Sequence, residues 1–309
     1  MTVVGRSLPR SVGTGLALAA ATATISGVSV FVNATAAKAV PDAVVFTTLK
    51  NVVAVLGLIG LAALAVRPTD LRVTRRDAAL LTLIGLIGGG VAFVLFFSGL
   101  AMASAPSAAF IHKTMFLWVA LMAGPFLGER LGWAPIAALA VLLAGQAVIL
   151  PPLGIAWGTG ETLIALATLL WSVEVILARR VLGRVRSPIV GVARLGIGLI
   201  VLVGYLGVTG RLGGIAALDG AAWSWIGLTG LLLGGYVATW LAALRRAPAT
   251  QVTSVLVVGA LITATLTALS RGALPGPVAL GGYALVVLGV AGIVGLALGS
   301  DRRTALVDA

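Results

Sequence analysis

The sequence predicts an all-α polytopic membrane protein with about ten transmembrane helices, arranged as two inverted repeats of five helices. Three observations predict this fold: the composition, a series of long apolar segments, and an uneven distribution of basic residues between them. Of the 309 residues, 60% are hydrophobic and 10% are charged, whereas about 25% are charged in a typical soluble domain. A chain of this composition cannot bury its apolar surface inside a water-soluble globule, so we expect lipid to be its solvent.

The apolar segments set the number of spans. A helix that crosses the bilayer needs about 20 mostly apolar residues, and Gly, Pro and charged residues separate ten segments of about that length. The predicted spans are residues 12–33, 43–66, 78–99, 106–127, 133–151, 160–178, 188–209, 222–243, 248–270 and 277–298. Their connections are short, and none is long enough to form a soluble domain. The 41 glycines are spread through the spans, where small residues permit close helix packing and equally permit a helix to bend for gating.

The basic residues predict the orientation of the spans. Of the 21 Lys and Arg residues, fifteen fall in alternate gaps on one side of the predicted bundle, and three fall in the gaps on the other side. The fifteen are Arg6, Arg10, Arg67, Arg72, Arg75, Arg76, Arg130, Arg179, Arg180, Arg184, Arg186, Arg245, Arg246, Arg302 and Arg303, and the three are Lys38, Arg211 and Arg271. We call the side with the fifteen the arginine-rich face. Because basic residues near span ends are retained in the cytoplasm, both termini are predicted to be cytoplasmic.

Composition also excludes several classes of function. The net charge of +12 lies in short loops that face lipid headgroups, so it indicates membrane lipid rather than nucleic acid as a partner. The sequence has no Cys and one His, which excludes disulfides and thiol catalysis and leaves no metal site to propose. Neither a G-x-S-x-G nucleophile elbow nor a P-loop is present. We therefore expect no enzyme activity and no cofactor.

The first span allows a second interpretation. Arg6 and Arg10, an apolar run and the small residues of segment 34–39 also fit a signal peptide with a cleavage site. The apolar run is long for a signal peptide, and removing it would leave nine spans. An even division into five and five favours a first helix that is retained.

An internal repeat can be read from the prolines. Pro106 and Pro135 recur as Pro248 and Pro277 at the same offset of 142 residues. Two units of five spans follow from this offset. Because each unit crosses the membrane an odd number of times, the second is inverted relative to the first, as in secondary transporters. The predicted units are residues 1–152 and 153–309.

Charged residues inside the spans are the sharpest functional signal. Lys50, Lys113 and Arg194 are the basic ones, and a charge at the centre of a span costs about 2.5–3.5 kcal/mol. We expect Lys113, with Lys50 and His112, to bind the anionic part of a small-molecule substrate. Two alternatives stay open for Lys113: its ammonium reaches the outer headgroups, or it caps the broken end of a neighbouring helix. Lys50 can likewise have a purely structural role.

Glu174 is the one carboxylate well inside a span, and Arg194 lies at nearly the same depth on the next span. The two can form a structural ion pair, or Glu174 can exchange a proton as access to it alternates. Trp171 lies one turn from Glu174 on the same helix face, so it either flanks a cavity or packs between helices. Tyr236 and Trp240 on the eighth span are further candidates for substrate binding.

Three segments resemble the EamA-like family of the drug/metabolite transporter superfamily. They are Phe97-Ser-Gly-Leu-Ala-Met-Ala-Ser-Ala-Pro-Ser-Ala-Ala109, Phe126-Leu-Gly-Glu-Arg-Leu131 and Ala140-Val-Leu-Leu-Ala-Gly-Gln-Ala147. A second such domain opens with Leu170-Trp-Ser-Val-Glu-Val-Ile-Leu-Ala-Arg-Arg180. The resemblance implies a ten-span carrier of the bacterial inner membrane that works by alternating access. It also implies a cavity lined mainly by the first, third, fourth, sixth, eighth and ninth spans.

The chain departs from this family pattern at two places. Arg271 stands where a Glu would match Glu129 in the second repeat, and His112-Lys113 stands where relatives often have a proline-containing apolar turn. The expected function is the export of a small organic metabolite. The alternatives are import or exchange of an anionic metabolite such as a sugar phosphate, and a non-transporting scaffold or sensor. A homodimer is left open as the oligomeric state.

Overall fold

The computed structural model describes residues 12–40, 42–149, 157–272 and 275–307, and all regular structure in these ranges is helical. Among the described residues, nine helices are long and apolar enough to cross a membrane, and the apolar helix Trp133–Ile149 is shorter, at 17 residues. Each of the ten predicted spans corresponds to one of these, so the prediction of an all-α polytopic membrane protein is confirmed. The predicted boundary between residues 152 and 153 lies outside the described residues, as do Arg6 and Arg10.

Thirteen α-helices occur in the described part of the chain, and three spans are divided between two of them. In chain order they are α1 (Val12–Ala39), α2 (Ala43–Ala65), α3 (Arg75–Ile84), α4 (Ala92–Leu100), α5 (Ala105–Lys113), α6 (Met115–Leu127), α7 (Trp133–Ile149), α8 (Thr159–Val181), α9 (Ser187–Val208), α10 (Gly220–Arg246), α11 (Ala249–Val255), α12 (Val258–Ser270) and α13 (Pro277–Val307). The third span consists of α3, a π-helical segment (Gly85–Val91) and α4. The fourth consists of α5 and α6, and the ninth of α11 and α12.

Polar side chains fix where several spans begin and end. Asp42 accepts hydrogen bonds from the backbone N–H groups of Val44 and Val45 at the start of α2, and the side chain of Asp219 caps α10 in the same way. Such caps satisfy N–H groups that a helix cannot pair internally. The fourth span ends at Gly128, whose φ of 71° only glycine adopts without strain.

The breaks in the fourth and ninth spans are related by the repeat. The fourth span is interrupted at Thr114, and the ninth at Leu256 and Val257. Thr114 and Leu256 are 142 residues apart, the offset that also relates the prolines. Discontinuous helices at matching positions of two repeats are typical of secondary transporters.

The packing of the spans has the same internal symmetry as the two breaks. The first and second spans pack on the eighth, while the sixth and seventh pack on the third. The first span also packs on the ninth, as the sixth does on the fourth, and the fifth pairs with the tenth. Spans one to five correspond to spans six to ten in order. Replacing each span by its counterpart in the other unit turns every one of these pairs into another pair of the set. The two five-helix units are therefore equivalent in architecture, and their odd number of crossings makes them inverted.

The third span approaches the seventh through its glycines. A methyl group built at Gly85 would lie 2.6 Å from the Cβ of Ile197, and one at Gly90 would lie 2.7 Å from the Cβ of Val201. A methyl group at Gly89 would overlap the carbonyl oxygen of Arg194. The glycine run thus serves close packing in this structure, and it is also the place where the helix changes to π-helical geometry.

We expect Gly89→Ala to destabilise the protein by about 1–3 kcal/mol, because the added methyl forces the third and seventh spans apart. Gly204→Ala in the seventh span is the matched control, since nothing lies within 4 Å of a methyl group there. Melting temperatures of the two variants in detergent compare them directly. Equal melting temperatures would contradict the packing described here.

Candidate functional site

A buried ion pair joins the sixth and seventh spans. The carboxylate of Glu174 accepts two hydrogen bonds from the guanidinium of Arg194, from Nε to Oε1 and from Nη2 to Oε2 at 3.0 Å. Their side chains are 1% and 6% exposed. The bidentate geometry supplies strong, charge-assisted hydrogen bonds that offset the cost of removing both charges from water.

The pair rests on the π-helical segment of the third span. A side chain at Gly88 would overlap the carboxylate of Glu174, so only glycine fits there. The carbonyl oxygen of Gly88 accepts hydrogen bonds from Trp171 Nε1 at 3.0 Å and from Arg194 Nη2 at 3.4 Å. Three spans are therefore held together at a single carbonyl group.

Two aromatic rings contact the guanidinium of Arg194. Its Cζ lies 5.9 Å from the ring centre of Phe93 and 5.3 Å from that of Trp240. Tyr236 stacks on Trp240, with ring centres 6.3 Å apart. Cation–π contacts of this kind stabilise a desolvated guanidinium. The indole N–H of Trp240 is buried and has no hydrogen-bond partner among the described residues.

His112 belongs to a second aromatic group that continues from the first. Its ring centre lies 5.0 Å from that of Trp171 and 5.3 Å from that of Phe96. Trp171 also contacts Phe93 at 5.4 Å, and Phe93 in turn contacts Arg194. Nδ1 of His112 is buried without a hydrogen-bond partner in the described part of the chain.

Lys50 lies at the other end of these rings. Its Nζ is 5.0 Å from the ring centre of Phe46 and 5.8 Å from that of Phe97, and the residue is 8% exposed. Phe97 contacts Phe96, with ring centres 5.6 Å apart. We call the rings of Phe93, Phe96, Phe97, His112 and Trp171 the ring cluster. It connects Lys50 to the ion pair of Glu174 and Arg194.

Lys113 lies at the break in the fourth span. It is the last residue of α5, it is partly buried, and Thr114 follows it between the two half-helices. A cation in the last turn of a helix interacts favourably with the helix dipole. The structure therefore permits the alternative in which Lys113 caps a broken helix. The helix concerned is α5, to which Lys113 itself belongs, rather than a neighbouring helix.

Seven acidic residues have side chains that the structure describes, and all seven have partners other than Lys50 and Lys113. Glu174, Asp77, Asp70 and Asp42 form ion pairs with arginines. Glu129, Glu161 and Asp219 accept hydrogen bonds from backbone N–H groups. None of these seven carboxylates neutralises either lysine.

Sequence reasoning placed Lys50, His112, Trp171, Glu174, Arg194, Tyr236 and Trp240 among the candidates, and the structure joins them through ring and ion contacts. It places two of them, Lys50 and Arg194, on the second and seventh spans, which the family resemblance did not assign to the cavity. Sequence reasoning missed the phenylalanines of the third span. Their spacing was the available signal, because Phe93, Phe96 and Phe97 lie at i, i+3 and i+4 on one helix face.

A separate cavity of about 380 Å³ lies between the first, ninth and tenth spans. Its lining is aliphatic apart from Thr24, whose hydroxyl donates to the carbonyl of Ala20. It holds no charged group, so recognition of a polar solute is better assigned to the charged residues and the ring cluster.

Comparison with known proteins agrees with this architecture. The EamA-like transporter family model matches two segments of the chain, residues 13–150 and 158–295, which confirms the resemblance seen in the sequence motifs. Among solved structures, 29 chains match. One of them, described as a crystal structure of a protein, has a TM-score of 0.74 at 20% identity, and the alignment covers 93% of this chain and 99% of that one. This likeness shows a shared fold alone. No curated protein matches the chain.

The ion pair can be tested by removing one partner and then both. We expect Arg194→Met to cost about 3–5 kcal/mol of stability, because it leaves the carboxylate of Glu174 buried and unpaired. Adding Glu174→Gln should recover most of that loss. Melting temperatures in detergent give the comparison, with Glu174→Gln alone completing the cycle. A double variant whose loss equals the sum of the single losses would mean that the two residues act independently.

Proposed function

Since this chain belongs to the EamA-like transporter family, we propose that it is a secondary transporter that moves a small organic solute outward across the bacterial inner membrane by alternating access. The family is one of membrane transporters of small molecules rather than of enzymes, and its model matches both repeats. The observation that supports binding and movement of a small organic solute is the set of charged and aromatic side chains brought together from both repeats. In this proposal the arginine-rich face is cytoplasmic, which the excess of basic residues supports.

Bonds between the two repeats on the arginine-rich face support alternating access. The carboxylate of Glu129 accepts hydrogen bonds from the backbone N–H groups of Ala249 at 2.6 Å and Thr250 at 3.2 Å, at the start of α11. The guanidinium of Arg180 donates to the carbonyl oxygen of Phe126 at 2.7 and 3.1 Å. Both contacts connect the end of the fourth span to the second repeat, and both must break if this face opens.

Two ion pairs also join the repeats on this face. They are Arg184–Asp77 at 2.6 Å and Arg186–Asp70 at 2.7 Å. A hydrogen bond from the backbone N–H of Arg67 and another from Arg186 hold the pKa of Asp70 below its usual range. Its carboxylate therefore stays charged, and available to Arg186, to a lower pH than a free aspartate.

On the opposite face, the polar contact between the repeats is weaker. The ion pair Arg211–Asp42 spans 3.4 Å and is partly exposed to solvent. The repeat places Arg271 where Glu129 stands in the first copy, so a base replaces the acid at the corresponding end of the ninth span. The N–H of Ser107 in α5 is capped instead by the hydroxyl of Ser104 from its own repeat, at 3.2 Å. This asymmetry fits a carrier that is closed on the arginine-rich face.

In the proposed mechanism the two repeats rock against each other and expose the site to one face at a time. Together with Lys50, Lys113 binds the anionic part of the solute, since none of the seven carboxylates with described side chains neutralises its ammonium. Its position beside Thr114, at the break in the fourth span, couples it to the segment that can bend. The pair of Glu174 and Arg194 holds the sixth and seventh spans together during this movement.

Import or exchange of an anionic metabolite such as a sugar phosphate is the second candidate. It is favoured by Lys50, a second basic residue that contacts the same ring cluster as His112. The direction of net flux in vesicles of known orientation separates it from export. A protein that moves no solute in either direction would support the scaffold or sensor alternative.

The transport proposal and the role of Lys113 can be tested in one assay. Vesicles with the purified protein are screened with amino acids, sugar phosphates and cationic dyes, and we expect flux of an anionic solute. Lys113→Met keeps the side-chain length and removes the charge, and should weaken apparent affinity about ten- to a hundredfold, which corresponds to roughly 1.5–3 kcal/mol. Arg72→Met, which changes an exposed loop residue, is the control. Unchanged flux together with a lower melting temperature for Lys113→Met would assign Lys113 to structure instead.

A further inference from the structure

Lys50 and the ring cluster together define a class of substrate. We propose that the site binds a planar aromatic anion, whose anionic group contacts the ammonium of Lys50 and whose ring lies against Phe97 and the adjoining rings. This inference rests on the proposed function, because it names the solute that the carrier would move.

The ammonium of Lys50 needs an anion that the described part of the chain does not supply. Lys50 is more than nine-tenths buried, and its Nζ lies over the ring faces of Phe46 and Phe97. Ring faces attract a cation but do not accept its three N–H groups as oxygen atoms do. The carboxylate of Glu174 is fully engaged by Arg194. A charged donor in this situation favours an acceptor that arrives with the ligand.

The surroundings of Lys50 specify the rest of the ligand. Small aliphatic acids would gain little from the phenylalanine rings beside the ammonium, whereas a planar ring gains offset-stacked or edge-to-face contacts with them. The rings continue without a gap from Phe97 to Phe96, and from Phe96 to His112 and Trp171. The apolar surface next to the cation is therefore aromatic over more than one ring.

His112 provides a second polar contact point at the far end of this surface. Its Nδ1 is buried without a partner in the described residues, so it can bond to a polar substituent of a bound ring. Phe97 and Phe96 lie between it and Lys50 in the series of contacts. A ligand that reaches from Lys50 towards His112 therefore passes more than one ring, which favours an aromatic acid over a carboxylate alone.

Three matched probes separate the contributions of charge and ring. They are 2-naphthoate, its saturated counterpart decahydro-2-naphthoate, and the neutral 2-naphthamide. Binding to the full-length protein in lipid nanodiscs is measured by titration calorimetry, without any need for transport. We expect 2-naphthoate to bind at least about tenfold more tightly than either other probe, because each of them loses one charge-assisted or aromatic contact.

Variants then assign the two contributions to residues. Lys50→Met should weaken 2-naphthoate about tenfold or more and leave 2-naphthamide unchanged, while Lys50→Arg should retain most of the affinity. Phe97→Leu should reduce the preference for 2-naphthoate over decahydro-2-naphthoate. Arg72→Met is the surface control. Melting temperatures identify any variant that fails to fold, and Lys50→Arg and Phe97→Leu keep the test valid if Lys50→Met is one of them.

The outcomes separate this inference from the transport proposal. Flux of another solute, with equal binding of the aromatic and saturated acids, would overturn the aromatic assignment and leave the carrier function standing. Binding of 2-naphthoate that depends on Lys50, in a protein that moves no solute, would support the site and count against transport. Unchanged binding of 2-naphthoate in a folded Lys50→Met variant would overturn the assignment of Lys50.

Discussion

The cost of placing charge inside a membrane bundle constrains this structure more than any other interaction. Glu174 and Arg194 neutralise each other through two hydrogen bonds, and the geometry requires the third span to come close enough for the carbonyl of Gly88 to take part. That approach is possible only because Gly88 and Gly89 have no side chains. The glycine run of the π-helical segment thus lets the third span pack against the seventh closely enough to take part in this buried pair.

The internal repeat gives the protein two equivalent halves, and the sequence then makes them unequal. Breaks in the fourth and ninth spans fall at equivalent positions, and the spans exchange partners according to the same rule. The end of the fourth span has Glu129, which binds the start of α11, whereas the equivalent position of the ninth span has Arg271. A carrier of the proposed kind needs two conformations of similar free energy. Two repeats of the same architecture that differ in a few contacts fit that requirement.

Much of the fold could be predicted from residue patterns, because the length of each apolar segment and the offset of 142 residues between the repeats can be read directly from the order of residues. The equal depth of Glu174 and Arg194 could be counted in the same way. The phenylalanines around Lys50 could not be assigned from one sequence, since ring contacts depend on how the second and third spans rotate against each other. The bond between Glu129 and α11 was equally inaccessible, because it joins residues 120 positions apart through a helix end whose orientation is set by tertiary packing.

Distances across the two faces test most directly whether they open in alternation. The chain has no cysteine, so pairs of spin labels can be placed at Trp133→Cys with Gly183→Cys on the arginine-rich face, and at Met102→Cys with Leu269→Cys on the other. Double electron–electron resonance in nanodiscs should give two populations for each pair, with opposite weights. Adding Glu129→Gln should lengthen the first distance and shorten the second. A single distance for each pair that this change leaves unmoved, or two distances that lengthen together, would contradict the account.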